Sequence, residues 1–282
     1  MSKNIEVVQS IDDISRLLTS GFDEWKSLGE VNVKHNNDLT LFNYTAKAQY
    51  EARWNFFETV SRGLILNNVT GRIVARPFEK FFNWGEGGRT TDAPIDYVME
   101  KLDGSLGIMY EHEGEFKIAT RGSFDSDQAI WATEFIQSKK RHPKDTVGEY
   151  TLLFEIIYPD NRIVVDYGQR EDLVLLALRH NPTGIYHTPY VLKSMAGVLG
   201  VPTPAFHSIS SIDFLTRRIE SMDASDEGYV AVFADGQRFK FKSREYMRLH
   251  KIVTGLSYKN TLEAVASGAV DSIREIVPDE FL

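Results

Sequence analysis

The chain has 282 residues, 42% hydrophobic and 26% charged, an ordinary globular composition with length for one large core or two domains. A formal net charge of -8 excludes a wholly basic nucleic-acid binder, and zero cysteines exclude disulfides, zinc–cysteine sites and a thiol nucleophile. Met1-Ser2-Lys3-Asn4-Ile5-Glu6 lacks a signal peptide's apolar run, and no stretch nears the roughly 20 apolar residues of a membrane span, so a soluble, cytoplasmic protein is expected.

Residues 8 to 29 carry a helical pattern. Ser10 is a candidate N-cap with Asp13 three residues on, and Ile11, Ile14, Leu17 and Leu18 recur at helical spacing. Residues 31 to 44 alternate as strands around the turn cluster His35-Asn36-Asn37-Asp38, and 46 to 60 read as a helix. Short strands follow at 63–66 and 72–75. Arg76-Pro77-Phe78-Glu79-Lys80-Phe81-Phe82-Asn83 is then aromatic and basic together, and leads into the loop Gly85-Glu86-Gly87-Gly88. Residues 96 to 121 alternate, with Glu111-His112-Glu113-Gly114 as a turn. A helix is predicted over 126–141, strands over 150–158, 163–166 and 173–179, helices over 188–199 and 211–221, a hairpin over 228–242 and a helical tail over 243–282. That order predicts an α+β fold with a large antiparallel sheet system and flanking helices.

Four patterns carry chemistry. In Lys101-Leu102-Asp103-Gly104-Ser105, a lysine ends a strand before a glycine turn. Lysine is protonated near neutral pH and becomes a nucleophile only where burial or cationic neighbours lower its pKa. Gly104 would let backbone approach a ligand closely; the plain alternative is an Asp-Gly turn with an exposed lysine. In the predicted hairpin, a two-residue Asp235-Gly236 turn puts Ala231 opposite Lys240 and Tyr229 opposite Lys242. Glu227 then shares their face, and Val230, Val232, Phe239 and Phe241 take the core face. Two such lysines neutralise a polyphosphate, or else guard an exposed edge. Glu155, inside Leu152-Leu153-Phe154-Glu155-Ile156-Ile157-Tyr158, is costly unless solvated, paired, or used on a metal or a ribose. Tyr167 is positioned to stack on a base or to fill core. Arg62, Arg76, Lys80, Arg89 and Arg121 add cations on either side of Lys101. The seven histidines form no metal-ligand motif, and no nucleophile elbow or Walker A loop is present.

Lys101-Leu-Asp-Gly, Thr120-Arg121-Gly122-Ser123, Phe154-Glu155, Glu227-Gly228 and Lys240-Phe-Lys242 together resemble, in order, the motifs of the covalent nucleotidyltransferase superfamily of ligases and capping enzymes. Ser61-Arg62-Gly63-Leu64, the 75–83 segment and Pro159-Asp160-Asn161-Arg162-Ile163-Val164 resemble the phage T4 RNA ligase 1 family within it, over about residues 55 to 245. The resemblance implies a nucleotidyltransferase (ATP-grasp-like ligase) fold, with an adenylyltransferase domain over 1–243 and a short helical segment over 244–282.

It implies an ATP-dependent RNA ligase. Lys101 takes AMP from ATP, AMP passes to an RNA 5′-phosphate, and a 3′-hydroxyl then displaces AMP. By motif position Lys101 is the nucleophile, with Lys240 and Lys242 catalytic at the α-phosphate and the leaving pyrophosphate. Arg62 and Lys80 contact the triphosphate, while Arg121 stands where some relatives have lysine. Asp103 and Gly104 belong to the nucleotide pocket, and Tyr167 is the candidate for adenine stacking. Glu155 engages ribose or metal, and Glu227 metal-bound water, the ion being Mg2+ or Mn2+. The partner is RNA with 5′-phosphate and 3′-hydroxyl ends, and a cytoplasmic monomer is expected; a phage, acting in the host cytoplasm, or another RNA-repair setting is the family expectation. Only about 40 residues follow Lys242. The longer helical C-terminal domain of the family's type member, tied to tRNA choice, is therefore not expected, nor is a downstream OB-fold. The alternatives are a DNA ligase, a capping-type enzyme, or an inert RNA-binding module, which would have lost a charged motif residue.

Overall fold

The structure, a computed structural model, describes residues 8–139, 148–223 and 225–250. In chain order the elements are α1 (Ile11–Thr19), β1 (Val31–Asn36), β2 (Leu39–Tyr44), α2 (Ala46–Glu51), α3 (Phe56–Val60), β3 (Arg62–Asn67), β4 (Ile73–Ala75), β5 (Phe82–Asn83), β6 (Ile95–Lys101) and β7 (Ser105–His112). They continue with β8 (Glu115–Ala119), α4 (Asp127–Ser138), β9 (Tyr150–Ile157), β10 (Asp172–His180), α5 (Pro189–Leu199), β11 (Phe206–His207), α6 (Ile212–Glu220), β12 (Gly228–Phe233) and β13 (Arg238–Lys242). Three sheets result, ordered β1-β2-β3-β4, β10-β9-β7-β8 and β11-β6-β12-β13-β5, antiparallel except where β5 runs parallel to β13. The predicted α+β fold of antiparallel sheets flanked by helices is the observed one.

Alternation sorts the strands into layers. Leu64 and Leu66 of β3 face α1 and α3, where they meet Ile14, Leu17, Phe42 and Phe57. Ile65 faces the other way and joins Leu39, Leu41, Ile108 and Leu153 in a core between the first and second sheets. The far face of the second sheet buries Leu152, Phe154 and Ile156 against Ala132, Ile136, Leu192 and Ala196 of α4 and α5. The third sheet buries Tyr229, Ala231, Phe233, Phe239 and Phe241 with Leu215 of α6. Each leucine, isoleucine or phenylalanine among them contributes about 1.5–3 kcal/mol by leaving water.

Several expectations are corrected. Of the helical pattern over 8–29, for which Gly21 and Gly29 are the candidate ends, α1 stops at Thr19 close to the first, and only a 3-10 turn at Trp25–Ser27 follows. The 46–60 helix is two, because Ala52 adopts φ 52° and Asn55 caps a new start. Ile163–Asp166 is not a strand; it is a bend whose amides serve another purpose. Residues 244–250 are helical, and the rest of the predicted tail lies outside the described residues. The hairpin register shifts by one. Val232 pairs with Arg238, Val230 with Lys240 and Gly228 with Lys242. The Phe233 amide donates to the Gln237 carbonyl, so Ala234-Asp235-Gly236 is a three-residue loop with Gly236 at φ 83°. Phe239 and Phe241 therefore share the core face with Tyr229 and Ala231, not with Val230 and Val232.

Candidate active site

The alternating run 96–121 is divided between two sheets. β6 pairs with β12 in the third sheet, and β7 pairs with β9 in the second. Leu102-Asp103-Gly104 is the crossover between them, so Lys101 stands at a strand end at the mouth of the inter-sheet cleft. Gly104 is needed there for a reason other than a ligand: a Cβ on it would lie 2.5 Å from the Ile156 carbonyl oxygen. The crossover is pinned by the buried Asp103. Its Oδ2 accepts the amides of Val164 and Val165, each at 2.8 Å, and its Oδ1 accepts the Tyr246 hydroxyl at 2.7 Å. The Asp103 amide donates to the Tyr167 hydroxyl at 2.9 Å. Burial raises the Asp103 pKa, the Glu227 charge adds to that, and these three hydrogen bonds oppose both.

Glu227 joins the motif ends. Lys101 Nζ donates to its Oε2 at 2.7 Å, and Lys242 Nζ lies 2.8 Å from its Oε1. The carboxylate is 2% exposed and each lysine side chain 20%. The corrected register alone would turn Glu227 away from Lys242. Gly228, at φ 139°, bends the strand start, and a Cβ there would collide with the Phe241 carbonyl oxygen. Glu227 therefore meets one of the two hairpin lysines, Lys242, for a different geometric reason than the one expected.

A second cationic group surrounds Lys240. The 76–83 segment straps the first sheet to the third. Lys80 N donates to the Thr59 carbonyl, and Phe82 and Asn83 pair with Phe239 and Lys240. Lys80 Nζ sits 4.7 Å from the Trp54 ring centre, 5.4 Å from Tyr44 and 5.6 Å from Phe82. Arg121 donates to the Tyr44 hydroxyl and lies over the same ring at 5.2 Å. Arg62 lies over Phe81, and its Nη1 is a buried donor without a hydrogen-bond partner. Burial, then the charges of Arg62, Lys80, Lys242 and Lys101, push the Lys240 pKa well below its ordinary value. Burial likewise lowers Lys80, with Arg62 and Arg121 adding to the effect.

The structure thus gathers Lys101, Glu227 and Lys242 at one point and Arg62, Lys80, Arg121 and Lys240 beside it. Glu155 pairs with Leu106 on the face of β9 that looks into the cleft; it is buried, and its side chain passes the Gly104 position. Tyr167 and Asp103 line a separate cavity of about 320 Å3 with Tyr158 and Asn161. Sequence reasoning did not single out Tyr44, Trp54 or Tyr246. Tyr44 ended an alternating strand and Trp54 sat in a predicted helix. Tyr246 carried no local signal, because its partner is 143 residues away.

Converging cations around an unpartnered Arg62 donor fit a polyphosphate. Among the described residues no group of three or more histidine, aspartate or glutamate side chains forms a metal cage. Glu227 and Glu155 are the buried carboxylates beside the cationic group that could hold a divalent ion.

A family model described as RNA ligase matches residues 60–246. The chain belongs to this RNA ligase family. A protein of Thermovibrio ammonificans, provisionally named an RNA ligase, is 30% identical over 240 residues, covering 79% of this chain and 61% of the relative. A baculovirus protein of Autographa californica nuclear polyhedrosis virus, provisionally named a bifunctional polynucleotide kinase/RNA ligase, is 27% identical, covering 84% and 38%. The chain thus spans less than two thirds of the length of either relative. A solved structure from Aquifex aeolicus, provisionally named an ATP-dependent DNA ligase, shares the fold at TM-score 0.53 and 14% identity, covering 83% of this chain and 62% of that one. Among the described residues, no helix of this RNA ligase family member is long and apolar enough to cross a membrane.

Proposed function

We propose that this chain is an ATP-dependent RNA ligase that joins an RNA 5′-phosphate to a 3′-hydroxyl through a lysyl-AMP intermediate, residues 1–243 forming its adenylyltransferase unit. The observation that carries the reading is the contact of Lys101 Nζ with Glu227, in turn tied to Lys242, beside the cationic group of Arg62, Lys80, Arg121 and Lys240. The triphosphate of ATP lies along these cations. Lys101 Nζ gives up a proton, for which Glu227 is the acceptor in contact, and its lone pair forms the N–P bond at the α-phosphorus. The bond from that phosphorus to the bridging oxygen breaks, and pyrophosphate leaves toward Lys240, Arg62 and Lys80. Preorganised charge at the developing negative oxygens lowers the barrier without reorganisation. Mg2+ or Mn2+, when bound, neutralises phosphate charge. Glu155 is our candidate for a ribose hydroxyl or that ion. Tyr167, in the cavity beside Asp103, is our candidate for stacking on the adenine.

An RNA 5′-phosphate then attacks the α-phosphorus of the lysyl-AMP, the N–P bond breaks and Lys101 leaves. A 3′-hydroxyl next attacks the 5′-phosphorus, and AMP departs. Incubation with α-labelled ATP and magnesium tests the first step. Wild type becomes covalently labelled, and Lys101→Ala does not. No label on wild type across metals and pH overturns the reading. Offering 5′-phosphorylated RNA, nicked duplex and DNA then fixes the substrate, and a preference for DNA or GTP rejects RNA ligation with ATP.

A further inference from the structure

A cleft of about 930 Å3 lies outside the site built so far. It begins at Lys80 and Phe81 and runs along the third sheet to the β12–β13 loop, lined also by Phe82, Arg89, Tyr97, Tyr186 and Arg238. β13 alternation puts Arg238, Lys240 and Lys242 on one face, at steps of about 6.8 Å, so the cationic row of the active site continues into this cleft. Lys80 and Phe81 border both spaces: Phe81 carries Lys240 at 4.8 Å on its ring. The cleft therefore opens from the pyrophosphate side of the site.

Its cations are held over rings. Arg238 lies 3.6 Å from the Tyr186 ring centre and donates to the Gly236 carbonyl at 3.3 Å. Arg89 lies 4.1 Å from the Phe82 ring centre, and Lys80 rests in its ring cage. Among the described residues none of the three has a carboxylate partner. Of the cleft's carboxylates, Glu79 is taken by Arg179 at 2.6 Å, Asp235 accepts from Thr91 and Gln237, and Asp96 is exposed. Half-buried aromatic rings carrying unpaired cations are the chemistry of a single-stranded nucleic-acid groove: the cations track phosphates and the rings meet bases. A bare pyrophosphate would need the cations alone.

Which strand enters follows from in-line displacement, in which attacking and leaving groups stand on opposite sides of phosphorus. In the first step Lys101 attacks and pyrophosphate leaves opposite it. In the second, Lys101 leaves, so the RNA 5′-phosphate enters where pyrophosphate departed. On the ligase reading above, we infer that this cleft seats the 5′-phosphate-bearing RNA strand, with the nucleotides after the first lying along Arg89 and Arg238.

The test compares two donors, a nucleoside 3′,5′-bisphosphate and a 5′-phosphorylated oligoribonucleotide, in wild type, Arg89→Ala, Arg238→Ala and Arg238→Lys. Labelling by ATP alone is measured first, and stays unchanged in all variants. The KM for the oligonucleotide then rises about tenfold in either alanine variant, with the bisphosphate KM unmoved and Arg238→Lys largely restored. The dependence of log KM on log salt falls by about 0.7 for each cation removed. Equal effects on both donors, or none on either, overturn the cleft's role while leaving lysyl-AMP formation intact. Should Arg238→Ala fail to fold, Arg89→Ala carries the same comparison. A wild type that takes no label overturns the ligase reading and this inference with it.

Discussion

Lys240 concentrates the electrostatic cost of the site. Its folded pKa is lowered, first by burial and then by four cations, so the unfolded chain binds more protons than the folded one between that lowered value and 10.5. Stability from this group accordingly rises with pH across that window, and the cost of the buried charge is felt in full below it. Lys240→Met is expected to raise the melting temperature near neutral pH and to flatten the slope of stability against pH, while abolishing labelling by ATP. Thermal melts across pH check the first two effects. Tyr246 acts through Asp103. Tyr246→Phe removes a hydrogen bond to a buried carboxylate, and such a bond contributes about 1.5–3 kcal/mol. Urea unfolding is expected to show a loss of about 2 kcal/mol, with slower adenylylation. The Asp103 pKa climbs further, because one of the bonds opposing its rise is gone.

Among the elements, the crossover between β6 and β7 is the sensitive one. Gly104→Ala pushes a Cβ against the Ile156 carbonyl, so β7 must separate from β9 or Lys101 must shift. Destabilisation of about 1–3 kcal/mol and at least a hundredfold drop in labelling rate are expected, read by urea unfolding and rapid-quench labelling. The helices and strands were legible because burial is periodic: Ile11, Ile14, Leu17 and Leu18 line one face of α1, all of them buried. The hairpin was legible as a hairpin but not in register. A sequence marks a glycine turn; the loop length that decides parity is set by how Phe233 and Gln237 pair. Ile163–Asp166 misled for a related reason. Its apolar residues are buried, but its amides are used by Asp103 and not by a neighbouring strand.

Across the whole molecule, the site is a junction of all three sheets. Arg62 comes from the first, Glu155 from the second with Arg121 just past the end of its β8, and Lys240, Lys242 and Lys101 from the third, Lys101 at the edge of the crossover to the second. Each body carries cations that repel those of the others until an anion lies between them. ATP with magnesium is therefore expected to stabilise the fold: about 2.7 kcal/mol at 100 times its Kd. That is about 5 °C in a thermal melt. The rise should vanish in Lys240→Met and shrink with added salt; an unchanged melt with saturating nucleotide speaks against the shared site.

By itself the sequence marked most of the helices and strands, because hydrophobic periodicity follows from backbone geometry. It also marked Lys101, Glu155, Glu227, Lys240 and Lys242 as a set, because their order along the chain resembles that of a family's charged motifs. Only the tertiary structure decided that 96–121 divides between two sheets, that Asp103 and Gly104 hold the crossover together, and that Tyr44, Trp54 and Tyr246 belong to the site. Those facts depend on contacts between residues far apart in the chain, whose free energy exists only once three sheets have closed around one cleft.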